Sequence, residues 1–327
     1  MTPIKKLLNI LSDGNCHSGA VLGEELGMTR AAIWKLVQQL KDWNIEIEAK
    51  TNQGYCIPGG MELLDAKKIL DSCQTQKIDK KRIKIFDTLS STNTYLVEQV
   101  REGIKDTQIC LAEFQTQGRG RFGRQWVSAF GKNIYFSMLW TFHGDLSRLA
   151  GLSLVVALAV VRALKAYGIE EGLGLKWPND VQWLSRKLAG ILIELHAESH
   201  HVSEVVIGIG INGELSPDLR RQAQKPVIDI QEITGKAFER NRFVGLLISA
   251  LMQALTQFQQ EGLKPFVTEW LELDVALNKP VQLIVGDQII TGIYRGIDFE
   301  RGELLLEDRQ GRAHSYSAGE VSLRIGE

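Results

Sequence analysis

Within residues 112–126, AEFQTQGRGRFGRQW, three glycines (Gly118, Gly120, Gly123) alternate with three arginines (Arg119, Arg121, Arg124). Glycine admits positive φ and lets main-chain N–H groups come close to a ligand. Arginine brings a fixed charge and a planar fork of donors that suits carboxylate and phosphate. A segment of this composition is suited to close over an anion. A solvated loop carrying arginines by chance is the plainer alternative.

Four more stretches place polar groups where strands end. Asp87-Thr88-Leu89-Ser90-Ser91-Thr92-Asn93 lies between a strand and a helix, so its hydroxyls and amide stand beside free helix N–H groups. Helix capping alone explains it equally well. Lys176-Trp177-Pro178-Asn179-Asp180 groups a cation, an aromatic ring, a rigid turn and two polar side chains, against the simpler reading of a strand-end turn. Arg186-Lys187-Leu188-Ala189-Gly190 sets Lys187 beside a strand so apolar that its ammonium must face solvent or a cleft. Gly208-Ile209-Gly210-Ile211-Asn212 ends a strand with small residues and an amide, as close ligand approach or a β-bulge requires.

Strand-like and helical runs that position these groups alternate from about residue 82 to 273. RIKIF, ICLAEFQ, NIYFSMLW, GLKW, AGILIEL and VSEVVIGIGI read as strands, with long helices over 149–167 and 242–262. Several strands follow one another through short turns, which predicts an α+β mixed sheet rather than a doubly wound one. No G-x-G-x-x-G leads from a strand into a helix with an acidic residue behind it, and no G-x-x-x-x-G-K-[ST] occurs. A nucleotide would bind here without a P-loop.

The first sixty residues predict three helices and a hairpin. Thr2 caps a helix with Pro3 in its first turn and Ile4, Leu7, Leu8 and Leu11 on one face. Ser18 caps the second, with Val21, Leu22 and Leu26 inward and Gly27 as its stop. Thr29 opens the third, with Ile33, Leu36, Val37 and Leu40 inward and Arg30, Ala31, Trp34 and Lys35 facing away. IEIEAK, TNQG and YCIP then read as a hairpin, completing a winged helix-turn-helix whose third helix enters the major groove. Ser18, Thr29, Arg30, Ala31, Trp34 and Lys35 are the candidate DNA contacts. In this segment Lys5, Lys6, Arg30, Lys35, Lys41 and Lys50 are balanced by Asp13, Glu24, Glu25, Asp42, Glu46 and Glu48, which weakens the electrostatic case for DNA. A small helical cap without a ligand is the competing reading. From Pro280 onward only strands and turns follow, as in a small SH3-like barrel.

The expected domains are a winged helix-turn-helix at 1–62, a linker at 63–81, a catalytic domain at 82–273 and the C-terminal barrel at 274–327. The 327 residues allow such a division, and a net charge of −1 decides nothing about nucleic acid, because only a local patch matters. Cys16, Cys56, Cys73 and Cys110 are far apart without a Cys-x-x-Cys pair, so neither a zinc site nor a disulfide is expected, and no protein-bound metal site. The apolar run 152–161, flanked by Arg148 and Arg162, is about half the ~20 residues of a membrane span and reads as a buried helix in a cytoplasmic protein.

Together and in this order, the winged helix (18–40), SSTN, EFQTQGRGR, KWPND, RKLAGIL, GIGIN and the terminal barrel resemble the biotin–protein ligase family. The chain is similar over its whole length to the bifunctional bacterial members that also repress the biotin operon. The resemblance implies a class II synthetase-like catalytic domain that makes biotinyl-5′-AMP from biotin and Mg-ATP. A lysine of a biotin carboxyl carrier domain, that of acetyl-CoA carboxylase, then attacks the mixed anhydride. It also implies that Ser91, Thr92, Asn93 and Gln115 hold the biotin head group, and that Arg119, Gly120 and Arg121 belong to the loop that orders over it. Lys187 would stand between the biotin carboxylate and the α-phosphate, making Lys187 and Arg121 the catalytic pair. Lys176, Asn179, Asp180 and Asn212 would lie near the nucleotide and its magnesium ion, with Trp126 as a wall for the adenylate. The adenylate-bound protein would dimerise on operator DNA of biotin synthesis genes. Phe122 departs from the family's loop, and Trp34 is bulky for a base-reading position. A ligase without repressor activity and a ligand-sensing transcription factor without catalysis are the alternatives.

Overall fold

In a computed structural model, residues 2–325 are described apart from 44, 76–77, 200–201, 224 and 319–320. Three short helices come first: α1 (Pro3–Leu11), α2 (Gly19–Leu26) and α3 (Arg30–Asp42). Pro3 sits in the first turn of α1 as expected, but Thr2 makes no side-chain cap. Ser18 and Thr29 do cap, accepting from the N–H groups of Val21 and Ala32. Leu7, Leu8, Leu11, Leu22, Ile33, Val37 and Leu40 are fully buried together. Val21, expected inward, is exposed instead.

The wing is β1 (Glu48–Lys50) paired antiparallel with β2 (Gly54–Cys56), shorter than the alternation of IEIEAK suggests. A further antiparallel bridge joins Tyr55 to His17, each N–H donating to the other's carbonyl at 2.9 Å. That bridge makes Cys16 and Cys56 the next opposed pair, the narrow non-hydrogen-bonded kind. Their Cα atoms are 4.3 Å apart and the sulfurs form a disulfide, correcting the sequence reading that no disulfide forms. Forty residues of separation hid a pairing set by the wing's register.

Residues after the wing are packed rather than free. Helix α4 (Ala66–Asp71), capped by Asp65, buries Ile69, and Leu64 and Ile78 join the central core. That core lies on a seven-stranded sheet built from β3 (Ile83–Leu89), β4 (Gln108–Gln115), β5 (Ile134–His143), β6 (Leu173–Lys176), β7 (Asp180–Trp183), β8 (Arg186–Ser199) and β9 (Val202–Ile211). Its order is β3-β4-β5-β9-β8-β7-β6, with β3 and β4 parallel and every other pair antiparallel. The mixed sheet is as expected, and β7 is a strand the sequence reading lacked. KWPND is thus the turn of the β6–β7 hairpin, with a cis Trp177–Pro178 bond.

Helix α5 (Thr92–Arg101), capped by Ser91, covers one face of the sheet. Helix α6 (Leu152–Tyr167) covers the other and packs on a later long helix (Arg240–Glu261). Among the described residues, 146–167 is the one helical stretch apolar and long enough to cross a membrane, and residues 154–161 within it are fully buried or nearly so. A helix hydrophobic all round belongs inside a core. Gly151, with φ of 79°, separates it from the turn Leu146–Leu149, so the helix starts later than residue 149.

After β9 come α7 (Pro217–Gln222), α8 (Ile230–Thr234), α9 (Arg240–Glu261) and α10 (Val267–Leu273). The last unit is β10 (Pro280–Val285), β11 (Gln288–Ile297), β12 (Leu304–Glu307), β13 (Ala313–Tyr316) and β14 (Val321–Ile325), all antiparallel in the order β13-β12-β11-β10-β14.

Both terminal units lean on the centre. Trp43 stacks on Phe130 with ring centroids 5.3 Å apart, and Lys5 pairs with Asp87 at 2.7 Å. Trp177, 2 % exposed, donates from Nε1 to the Gly302 carbonyl at 3.0 Å.

Candidate active site

A cavity of about 400 Å³ opens where β4, β5, β9 and β8 end. Every residue assigned by sequence to biotin, nucleotide or catalysis lines it: Ser91, Thr92, Asn93, Gln115, Arg119, Gly120, Arg121, Trp126, Lys176, Asn179, Asp180, Lys187 and Asn212. The sheet order explains the convergence, because strands distant in sequence deliver their ends to one edge.

The inner end is polar, buried and internally satisfied. Thr92 donates from its N–H (2.8 Å) and its hydroxyl (3.1 Å) to Gln115 Oε1. Ser137 Oγ lies 2.5 Å from Asn93 Oδ1 and 2.7 Å from Thr92 Oγ1. Asn93 Nδ2 donates to Glu194 Oε2 at 2.8 Å. Ser91 caps α5, so the capping reading of SSTN holds together with its place in the cavity. Ser137 escaped the sequence reading, although a hydroxyl inside the apolar run NIYFSMLW was its signal.

The glycines of GIGIN make room for side chains rather than for a bulge. Strand β9 pairs with β5 in unbroken register from Val202 to Ile211. A Cβ on Gly208 would collide with the Asn93 amide, and one on Gly210 would stand 2.5 Å from Trp126 Cε2. On the neighbouring strand, a Cβ on Gly190 would meet Trp126 Cζ3 at 2.9 Å. Trp126 therefore lies flat on a glycine floor, with the Lys187 ammonium 5.4 Å from its ring centre. Its Nε1 is buried without a partner.

The outer end is cationic. Arg121, Arg124, Lys176, Lys187 and Lys225 line it against one carboxylate, Asp180, and Arg119 lines the cavity nearer the polar end. Lys187 pairs with Asp180 at 2.6 Å. Arg119 is turned onto Glu194 at 3.0 Å and onto Thr94 Oγ1 at 3.2 Å. Burial, then the neighbouring Arg124, lowers the pKa of Arg121, and burial lowers that of Lys176.

The glycine–arginine loop is folded back on itself. Gly120 N–H donates to Arg124 O at 2.6 Å and Trp126 N–H to Gly118 O at 2.9 Å, while Phe122 takes a positive φ of 57°. Arg121 reaches Asn179 Oδ1 at 3.2 Å and the carbonyls of Ala318 and Val321, tying the loop to the C-terminal unit.

Asn212 is committed to the backbone: its amide donates to Lys187 O at 3.2 Å and Ile228 O at 3.0 Å. It thereby holds the segment 225–229 at Ile228, and Ala223, Lys225 and Val227 wall the cavity. That wall, and Lys225 on it, carried no sequence signal.

Among the described residues no group of three or more histidine, cysteine or acidic side chains is arranged for a metal. A magnesium ion arriving with a triphosphate would keep mostly phosphate and water ligands, with Asp180 the carboxylate at hand.

On the N-terminal unit, Arg30, Ala31, Trp34 and Lys35 are all exposed along α3, with Trp34 54 % exposed. Its indole is therefore not a packing residue of this chain. Ser18 and Thr29 spend their oxygens on caps, each keeping a hydroxyl proton to donate.

Residues 85–212 match the biotin/lipoate A/B protein ligase family, residues 4–56 an HTH domain and residues 276–324 the biotin protein ligase C-terminal domain. Over 322 residues the chain is 41 % identical to the bifunctional ligase/repressor BirA of Escherichia coli, covering 98 % of this chain and 97 % of that one. It is 29 % identical over 321 residues to the bifunctional ligase/repressor BirA of Bacillus subtilis, covering 96 % and 97 %. The solved biotin protein ligase of Aquifex aeolicus in complex with biotin and ATP aligns with a TM-score of 0.62 at 28 % identity, over 75 % of this chain and 100 % of that one. This chain belongs to the biotin–protein ligases, among the bifunctional ligase/repressors.

Proposed function

We propose that this protein condenses biotin with ATP to biotinyl-5′-AMP and passes the biotinyl group to a lysine of a biotin carboxyl carrier domain. The observation that carries this reading is the polarity of one cavity: a buried amide and hydroxyl set at one end, five cations against one carboxylate at the other, and Trp126 between.

The ends suit the two substrates. A ureido ring is neutral and needs several donors and acceptors in a mostly apolar slot, which Ser91, Thr92, Asn93 and Gln115 provide. The valerate chain would run past Trp126, which itself fills the space above the glycine floor, bringing its carboxylate to Lys187. There Lys187 and Arg121 face the charge that builds as the carboxylate attacks the α-phosphorus. Holding both substrates in one pocket supplies much of the remaining acceleration. Lys176, Asn179 and Asp180 sit around the phosphates, and Asn212 positions the wall beside them. The arginine loop, anchored by Arg121, shields the acyl-adenylate from water.

The α3 face and the wing would bind DNA. Two copies bearing adenylate would present two such faces to a palindromic operator of biotin synthesis genes.

Incubation with ATP, biotin and the carrier domain of acetyl-CoA carboxylase tests the ligase reading: the carrier should gain the mass of one biotinyl group. No gain, with the carrier folded, would end it. A salt-dependent shift of a biotin-operon promoter fragment, stronger with the adenylate present, tests the repressor reading.

A further inference from the structure

Four of the six cations around the cavity are already engaged. Arg119 meets Glu194, Lys187 meets Asp180, Arg121 meets Asn179 and two carbonyls, and Arg124 Nε donates to Arg121 O at 3.3 Å. Lys176 and Lys225 have neither a hydrogen bond nor an ion pair to a described residue. Lys176 is half-buried and Lys225 is exposed at the mouth of the cavity, so both ammonium groups are open to an arriving anion.

Lys225 is also held in place. Lys187 N–H donates to Pro226 O at 2.9 Å, Ile228 N–H donates to Lys187 O at 3.0 Å, and the Asn212 amide closes on Ile228 O. The backbone on its C-terminal side is thus stitched to the strand that carries Lys187. The charges that weigh most on the Lys225 ammonium are those of Asp180, Lys176, Arg124 and Lys187, all at the outer end, and partial desolvation at this rim lowers its pKa.

We propose that Lys225 is a catalytic residue of adenylation and not of transfer, its ammonium binding the phosphates that leave as pyrophosphate. This rests on the ligase reading above. In that step a carboxylate oxygen bonds to the α-phosphorus, the bond from that phosphorus to the bridging oxygen breaks, and its electron pair departs on pyrophosphate. No proton changes hands, so negative charge grows on the leaving group, where a fixed cation stabilises it most. Transfer from the finished adenylate to a lysine involves no β- or γ-phosphate and has no use for Lys225.

The test compares full-length protein with Lys225→Ala and Lys225→Arg. Biotin-dependent ATP–pyrophosphate exchange is measured beside single-turnover transfer from prepared biotinyl-5′-AMP to a carrier domain. Lys225→Ala should lower kcat/KM for ATP in exchange by about 10- to 100-fold while transfer stays within about twofold, and Lys225→Arg should restore most of the exchange. Exchange by Lys225→Ala equal to that of the parent would overturn the proposal. An equal loss in both half-reactions would also overturn it, pointing to a role in wall structure. If the parent itself exchanges no pyrophosphate, the ligase reading falls and this one with it. A parent that exchanges alongside an unaffected variant removes Lys225 alone.

Discussion

Arg240 and Glu113 form an ion pair at 2.6 Å with both side chains only 2 % exposed. Arg240 opens α9, and Glu113 lies on β4 two residues before Gln115 of the cavity. The same guanidinium donates to the Glu62 and Asn133 carbonyls, and Glu113 Oε1 accepts from Leu64 N–H at 2.6 Å. The Asn133 side chain in turn accepts from Gly213 N–H at 2.8 Å, where the wall of the cavity begins. One buried pair therefore ties the segment leading from the winged helix to both sides of the site.

Removing one partner leaves the other charged and buried. Arg240→Met should destabilise the protein by about 3–5 kcal/mol, the usual cost of breaking a buried pair. Arg240→Met with Glu113→Leu should recover part of that loss, because neither charge is then stranded. Denaturant unfolding of the parent, both single variants and the double variant checks this, and additive losses would contradict it.

Trp126 rests where Gly190 and Gly210 leave space, so the smallest added group should move it. Gly210→Ala would place a methyl 2.5 Å from the indole, which must tilt or lift. Overpacking of this kind costs about 1–3 kcal/mol. The larger effect falls on the ligand, whose wall is lost: adenylate affinity should drop by about tenfold, a wall contact of about 1.4 kcal/mol. Calorimetric titration with a non-hydrolysable adenylate analogue measures it, and unchanged affinity would remove Trp126 from the site.

Much of this site was legible because its residues answer to chemistry rather than packing. The alternating glycines and arginines, SSTN, KWPND and Lys187 are polar or flexible where a core would be neither, and all reached one cavity. What stayed hidden depends on the third dimension. Glu194, which holds Arg119 and Asn93, reads as an ordinary outward residue of a strand. Strand β7 hid because DVQW is too short to display alternation. The Cys16–Cys56 pairing follows from hairpin register, which spacing does not encode. Gly208 and Gly210 were legible as close-approach positions, but only the fold reveals that Asn93 and Trp126 are what approaches.

Arg121 ties the loop to the C-terminal unit through hydrogen bonds, and its one ring contact among the described residues is with Phe122 of the same loop. Arg121→Gly should therefore leave the fold intact, with the unfolding midpoint little changed, while the loop loses its anchor. Adenylate should dissociate about 10- to 100-fold faster, equivalent to about 1.4–2.8 kcal/mol of lost retention. Stopped-flow release of preformed adenylate measures this, and equal rates for variant and parent would contradict it. Faster release should also label lysines of a bystander protein.

The phosphate end should impose a limit on the alkaline side. Burial lowers the pKa of Lys176 from the ordinary 10.5, outweighing the opposing pull of Asp180. An amine binds phosphate only while protonated, so a depressed pKa means charge is lost as pH rises through a value below 10.5. In the free protein the same shift works against folding: the burial cost is fully present while the amine is charged, below its folded pKa. That cost fades as pH rises through the folded pKa and toward the unfolded value. Triphosphate binding reverses the balance by favouring the charged form, so ATP should bind with net proton uptake on the alkaline side. The expected profile is a kcat/KM for ATP that falls on the alkaline side below 10.5, with Lys176→Arg moving that limb to higher pH. A limb that stays in place in Lys176→Arg would assign it to another group.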